Sequence, residues 1–284
     1  MFKKIFFAAA LLLASELIAK PVVIASIAPV EYLAKAVGGD KIEVQSLAKG
    51  DVHSYEPKPN DMKAVAKARI FIAAGLEFEE AWIPRFKASA KNLVVVKSYA
   101  KIAKLKEERG EQAEHDEKHE AHADPHVWLN PMLAITMARN ISDALIDMDK
   151  ANKDFYLENF QKLMNDLLAF DESAKNELAG LKNRKFVVYH PAWGYFAEHY
   201  DLEQISIERS GKEPKIDEMA STLKMIKDEN IKVIFADPNR SQKSAQVLAS
   251  QTGAKVELLD PLGYNLLENL KIAVGAIKDA NSPK

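Results

Sequence analysis

The sequence predicts an α/β protein of two lobes with mainly parallel sheets, joined by one long rigid helix, with a cleft between the lobes. Three observations predict this fold. Strand-like apolar runs alternate with amphipathic runs over residues 21–96, and the same alternation returns over residues 185–259. Between them, residues 132–179 contain neither proline nor glycine. Alternating strands and helices are typical of parallel sheets, and a long run without helix breakers favours a continuous helix.

The N-terminus has the pattern of a secretory signal peptide, which we assign to residues 1–19. Lys3 and Lys4 precede an apolar run at 5–13, and a short segment ending in Ala19 supplies the expected cleavage position. The apolar run is shorter than the roughly 20 residues that a membrane span needs. We therefore expect an exported protein of the bacterial periplasm.

Composition narrows the chemistry. The chain has no cysteine, which excludes disulfides and thiolate metal ligands and leaves no cysteine for a lipid anchor. The formal net charge is −2, so no basic surplus points to nucleic acid. Any bound metal must be held by nitrogen and oxygen.

The first lobe is predicted to occupy residues 20–130. An apolar run at 21–26 predicts a buried strand, and the helix that follows at 30–37 is ended by a pair of glycines. The further predicted elements are a strand at 42–47, a helix at 60–67, a strand at 69–73, a helix at 79–89 and a strand at 93–96.

A helical connection at 131–182 is predicted to join the lobes. Its main helix, 151–179, would extend roughly 43 Å at 1.5 Å per residue. The apolar positions recur at spacings of three and four: Tyr156, Phe160, Leu163, Leu167, Phe170, Ala174 and Leu178. A dimeric coiled coil is the alternative for this stripe, but the pattern lasts barely three heptads and lacks an ordered charge pattern. We expect a monomer.

The second lobe is predicted to occupy residues 183–284, with helical stretches between its strands. The predicted strands are 185–189, 204–208, 233–236 and 255–259.

Candidate metal ligands lie in loops at or after predicted strands. His190 and Asp260 each follow a strand of the second lobe by one residue, whereas His53 and His126 lie in loops of the first lobe. Open α/β sheets bind ligands at the carboxyl ends of their strands, so a cleft between the lobes can collect all four. Three imidazoles and a carboxylate form a four-coordinate shell that zinc accepts. His199 is excluded, because nine helical residues would separate it from His190 by roughly 13 Å.

Four segments resemble the ligand motifs of the metal-specific solute-binding proteins of ABC importers, in particular the ZnuA-like zinc branch. They are residues 50–59 (GDVHSYEPKP), 124–131 (DPHVWLNP), 189–196 (YHPAWGYF) and 259–263 (LDPLG). The resemblance covers essentially the whole mature chain. It implies a two-lobed fold with a long linking helix, the ligands His53, His126, His190 and Asp260, and an inner-membrane ABC permease as partner.

The identity of the metal depends on the third ligand. Manganese-binding relatives carry glutamate there, whereas this chain has His190, and three imidazoles suit zinc better than manganese. We therefore expect zinc as the transported ligand, with a manganese- or iron-binding member of the same class as the alternative. Water or another carboxylate is the alternative to Asp260 in the fourth place. Asn130, Pro191 and Trp193 depart from the usual residues of the motifs.

An acidic segment at 110–124 contains His115, His119 and His122 among six carboxylates. Its composition cannot bury a core and predicts a mobile loop. We interpret it as an auxiliary, low-affinity zinc-collecting loop, and a solvated acidic insertion is the alternative.

A zinc-dependent hydrolase is the hypothesis from another class, because three histidines with an open fourth position would activate water. No motif supplies an evident general base, a phosphate loop or a serine nucleophile elbow, so we predict that the protein is not an enzyme. Metal affinity should fall as the pH drops toward about 6, where ordinary histidines protonate.

Overall fold

The first lobe is a four-stranded parallel sheet covered by helices. The computed structural model describes residues 19–105, 123–208 and 216–281 of the 284-residue chain. The elements of this lobe are β1 (Val22–Ala25), α1 (Ala28–Gly38), β2 (Glu43–Ser46), α2 (Pro59–Val65), β3 (Ile70–Ala73), α3 (Glu77–Ser89) and β4 (Val94–Lys97). The strand order is β2-β1-β3-β4. β3 is entirely apolar and buried, as expected for a central strand covered on both faces.

Two helices form the connection. A 3₁₀ turn at Val127–Leu129 precedes α4 (Pro131–Met148), and α5 (Lys153–Ala179) follows. Asn130 caps α4, because its side-chain oxygen accepts hydrogen bonds from the backbone N–H groups of Met132 (2.9 Å) and Leu133 (3.2 Å). Asparagine is among the best N-cap residues, so the helix keeps a favourable cap at this position although Asn130 departs from the usual motif.

The helix α5 is the long linking helix that the sequence predicts. Its 27 residues extend roughly 40 Å. All seven predicted apolar positions are buried, and they pack against α1 and α4 of the same chain and against the C-terminal helix. Because its own chain covers the stripe, the stripe gives no support to a dimeric coiled coil.

The second lobe repeats the arrangement of the first. Its elements are β5 (Lys185–Val188), α6 (Gly194–His199), β6 (Glu203–Ser206), α7 (Ile216–Asp228), β7 (Val233–Ala236), α8 (Lys243–Thr252), β8 (Lys255–Leu258) and α9 (Leu266–Asn281). The order β6-β5-β7-β8 is again fully parallel. In both sheets the winding reverses beside the first strand, and the carboxyl ends of the strands there form the usual binding crevice.

The predicted fold is confirmed: two parallel-sheet lobes are joined by a long helix. The individually predicted strands and helices end within two residues of the observed bounds. α9 was not predicted. Among the described helices, none is both long enough and apolar enough to cross a membrane.

One hydrophobic core runs through the first lobe and the connection into the second lobe. Phe186, Val188 and Phe235, on one face of the second sheet, belong to this core together with α9. Val187 and Ile234, on the opposite face, belong to a smaller separate core. The alternation follows from the two-residue period of a strand. The two lobes are therefore joined by shared apolar packing as well as by the chain.

Leu167 and Leu168 offer a direct test of this packing. Leu167 is fully buried on α5, whereas its neighbour Leu168 is 40% exposed. We expect Leu167→Ala to lower the free energy of unfolding by about 2–5 kcal/mol through lost burial and a residual cavity. The control Leu168→Ala should change it by no more than ~0.5 kcal/mol. Urea unfolding of both variants measures the difference, and equal losses would contradict the assignment of the buried face.

Candidate metal centre

Three histidines from three separate segments meet between the lobes. His53 lies in the loop after β2, His126 directly before the 3₁₀ turn, and His190 in the loop after β5. Their ring centroids are 4.9–5.5 Å apart. One ring nitrogen of each lies within 4.8 Å of the others, and this is the one such cluster of metal-binding side chains in the described part of the chain.

The spacing of two of these nitrogens is close to that of ligands on one metal ion. His53 Nε2 and His190 Nε2 are 3.2 Å apart. Two nitrogens at the usual zinc distance on a tetrahedral ion are about 3.3–3.4 Å apart. The pair is therefore placed for joint coordination with little movement of either ring.

Asp124 orients the His126 ring. Its Oδ1 lies 2.7 Å from His126 Nδ1 and also accepts the backbone N–H of His126 at 2.9 Å. Both residues are buried. A carboxylate on Nδ1 favours the tautomer with its proton there, which leaves the Nε2 lone pair free for a metal.

His190 has a carboxylate partner as well. Glu208 Oε2 lies 2.9 Å from His190 Nδ1, and both side chains are buried. Arg240 lies beside them, with Nη1 3.0 Å from His190 Nδ1 and Nη2 3.3 Å from Glu208 Oε1. Arg240 thus compensates the charge of a carboxylate that would otherwise be costly to bury.

The loop of His53 is ordered by local bonds. The backbone N–H of His53 donates to Asp51 Oδ1 at 3.2 Å, and the Ser54 hydroxyl donates to Asp51 Oδ2 at 3.1 Å. Gly50 opens the loop with φ of +79°, a conformation that glycine adopts without strain. His53 itself is half-buried.

Burial keeps two of the imidazoles neutral. Desolvation, with the nearby His126 and Arg240 as lesser causes, lowers the pKa of His53 to about 4. Desolvation and the adjacent histidines also lower the pKa of His190 well below its ordinary value. For these two residues, proton competition moves to a lower pH than the value near 6 expected from ordinary histidines.

Asp260 lies near the carboxyl end of β8 but outside the histidine cluster. Its Oδ1 accepts hydrogen bonds from Asn239 Nδ2 (2.7 Å) and from the backbone N–H of Leu262 (2.8 Å). Asn239 also donates to Asp237. Burial, followed by the negative charge of Asp260, raises the pKa of Asp237.

The His126 segment and the Asp260 segment are bonded to each other. Trp128 Nε1 donates to the backbone oxygen of Pro261 at 2.7 Å, and Trp128 is fully buried. This bond joins the connection to the second lobe beside the candidate site.

His199 lies in a different environment from the cluster, in agreement with its exclusion. Its Nε2 is 2.6 Å from Asp171 Oδ1 on α5, and Lys175 Nζ is 2.7 Å from Asp171 Oδ2. Burial opposes ionisation of Asp171, but the hydrogen bonds from Lys175 and His199 outweigh it and lower the pKa of this carboxyl group. The remaining predicted residues, His115, His119 and His122, lie outside the described residues.

Sequence reasoning missed the partners of the ligands. The sequence does offer a signal for Asp124, since it precedes His126 by two residues within the same motif, 124–131. The sequence predicts Glu208 as the last residue of a strand, whereas the strand ends at Ser206 and Glu208 follows it. Arg240 gives no local signal, because it lies 50 residues from His190 in sequence.

A two-lobed α/β fold with three facing imidazoles between the lobes defines the class as a solute-binding protein with a site suited to a transition metal. The model of the ZnuA family, described as the periplasmic component A of a zinc-uptake complex, matches residues 23–280. The chain belongs to this family, whose members are solute-binding components of zinc transport. This confirms the resemblance found in the sequence and the prediction that the protein is not an enzyme.

Individual relatives agree with this assignment. The high-affinity zinc uptake system protein ZnuA of Bacillus subtilis is 30% identical over 279 residues, which cover 91% of this chain and 86% of the relative. A crystal structure of ZnuA matches with a TM-score of 0.86 and 35% identity, covering 93% of this chain and all of the other. A zinc-bound ZnuA deletion mutant gives a TM-score of 0.85 at 34% identity, covering 93% of this chain and 99% of the other.

The lowered pKa of His53 predicts how pH affects the metal-free protein. The folded-state pKa is about 4, whereas an unfolded histidine titrates near 6.5. Between these values the unfolded chain binds more protons, so the contribution of His53 to stability is full above pH 6.5 and is lost as the pH falls toward 4. Glutamine does not titrate, so we expect the stability of His53→Gln relative to the unmodified protein to increase as the pH falls from 6.5 toward 4. Urea unfolding at several pH values measures the free energy of unfolding of both proteins. If the two free energies change with pH in parallel, the lowered pKa of His53 is refuted.

Proposed function

We propose that this protein captures zinc in the periplasm with His53, His126 and His190 and delivers it to an inner-membrane ABC permease for zinc uptake. The observation that carries the proposal is the convergence of three imidazoles from two lobes, with ring nitrogens within 4.8 Å of one another. Family membership supports zinc uptake as the process. Delivery to the permease is the step that we infer from the family.

The donor set favours zinc over manganese. Three neutral imidazole nitrogens suit a borderline-soft ion, whereas manganese prefers a shell richer in oxygen. Relatives point the same way, since one is named for high-affinity zinc uptake and another was crystallised with zinc bound. A manganese- or iron-binding role is the alternative, and direct competition between the ions distinguishes them.

We infer that Asp260 supplies the fourth ligand when zinc is bound. Asn239 and the backbone of Leu262 hold its Oδ1, which orients the carboxylate at the same sheet edge that carries His190. A shell closed by this carboxylate leaves no water to activate, in keeping with transport rather than hydrolysis. Water in the fourth place is the alternative.

Export is the remaining part of the proposal. The description of the family as periplasmic supports it. We propose that residues 1–19 act as a cleaved signal peptide and that the mature protein carries no lipid anchor, in line with the absence of cysteine.

Zinc titration tests the ligand set. The exported protein, stripped of metal by a chelator, is titrated beside a variant carrying His53→Ala, His126→Ala and His190→Ala, with manganese as competitor. We expect one tight zinc site in the unmodified protein, which the triple variant loses and manganese does not displace. His199→Gln is the matched control, because it removes an imidazole outside the cluster and should leave the tight site intact.

Equally weak zinc binding by the unmodified protein and the triple variant would refute the histidine cluster as the zinc site. Asp260→Asn addresses the fourth ligand separately. If the carboxylate coordinates zinc, this variant should bind more weakly, whereas unchanged affinity would assign the position to water.

Delivery is tested with the cognate permease reconstituted in liposomes that contain a zinc indicator. Zinc-loaded protein should raise both ATP hydrolysis and zinc entry. The triple variant, given the same total zinc, should do neither. Equal zinc entry with and without the binding protein would contradict the delivery role.

A further inference from the structure

We propose that Tyr195 of the second lobe is a positioning residue that acts through Asp124 to hold the His126 imidazole and thereby sets the zinc affinity of the site. This inference rests on the proposed function, since it concerns the same zinc site. It assigns a role in binding to a side chain that does not itself belong to the cluster.

The Tyr195 hydroxyl joins two segments of the first lobe. It accepts the backbone N–H of Leu105 at 2.8 Å and donates to the backbone oxygen of Asp124 at 2.9 Å. The backbone N–H of Asp124 in turn donates to the backbone oxygen of Leu105 at 3.0 Å. The phenol oxygen of Tyr195, which belongs to the second lobe, thus holds the first-lobe segment that precedes His126.

Asp124 transmits this position to the metal ligand. The same Oδ1 atom contacts both the backbone N–H and the ring Nδ1 of His126, at 2.9 Å and 2.7 Å. A shift of Asp124 therefore displaces the partner of the ring and of its backbone together. Residues that hydrogen-bond to a metal ligand without touching the metal affect metal affinity, because they fix the tautomer and the direction of the ligand.

The surroundings make this link tight. Tyr195 is 2% exposed, and Asp124 and His126 are also buried. A Cβ atom at Gly194 would lie 3.0 Å from Asp124 Oδ2, so a residue without a side chain permits the close approach of this carboxylate. Burial, as the largest cause, raises the pKa of Tyr195 to about 12, so the phenol remains a neutral donor at physiological pH.

The loss of the hydroxyl alone can be tested without removing the ring. Tyr195→Phe leaves the Leu105 N–H and the Asp124 backbone oxygen without this partner while preserving the aromatic packing. We expect zinc affinity to weaken by about tenfold, the lower end of the range seen for outer partners of metal ligands. Tyr156→Phe is the matched control, because it removes a tyrosine hydroxyl that donates to Asp149 at 2.9 Å in the helical connection.

The measurement that separates positioning from general stability is a double-mutant cycle. Zinc dissociation constants are compared for the unmodified protein, Tyr195→Phe, Asp124→Ala and the double variant. If Tyr195 acts through Asp124, its removal should cost little further affinity once the carboxylate is gone. In metal-free Tyr195→Phe, the ¹⁵N shifts of the His126 ring should also move toward a mixture of tautomers.

Three outcomes would overturn this role. Equal zinc affinity in Tyr195→Phe and the unmodified protein would remove it while leaving the proposed function intact. An undiminished tenfold effect in the Asp124→Ala background would show that Tyr195 acts by another route. Equal losses of zinc affinity in Tyr195→Phe and Tyr156→Phe would show that Tyr195 affects binding only through the stability of the fold. Failure of the unmodified protein to bind zinc would instead refute the proposed function.

Discussion

The site depends on holding three imidazoles oriented and close together in a largely buried space. Ring nitrogens that point lone pairs at one another repel until a cation lies between them, so bonds at the opposite side of two of the rings help to hold the arrangement. Asp124 provides such a bond for His126 and Glu208 provides one for His190. The parallel sheets place the loops at a common edge, but these carboxylates decide which nitrogen faces the cluster.

Glu208 and Arg240 show how the charge of this arrangement is balanced. A single Nδ1 atom of His190 can donate a proton to Glu208 or accept one from Arg240, but not both. When Nε2 binds a metal, Nδ1 carries the proton and Glu208 is its partner, which leaves Arg240 paired with Glu208 Oε1. The buried carboxylate of Glu208 then partly compensates the positive charge of a bound metal without being a ligand. When no metal is bound, Arg240 compensates the negative charge of Glu208.

The sequence predicts the fold well because the signals are local. Apolar runs, the Gly38-Gly39 stop and the stripe on α5 each report on their own segment, and the buried stripe matches position by position. α9 was missed even though Leu266, Leu270, Ala273 and Ile277 have helical spacing. Apart from Asp124, the residues that hold the ligands could not be predicted in this way, because their contacts join distant parts of the sequence. Tyr195 meets Asp124 across 71 residues of sequence, and only tertiary packing brings them together.

The same cross-links limit how metal can enter and leave. A hinge between the lobes would have to open the core that the first lobe, α5 and the inner face of the second sheet share. It would also strain two buried bonds that cross to the second lobe, from Trp128 to Pro261 and from Tyr195 to Asp124. The His53 loop, by contrast, is half-buried and ordered by bonds to its neighbour Asp51. Because local opening costs far less than separating a continuous core, movement of the His53 loop requires less free energy than separation of the lobes.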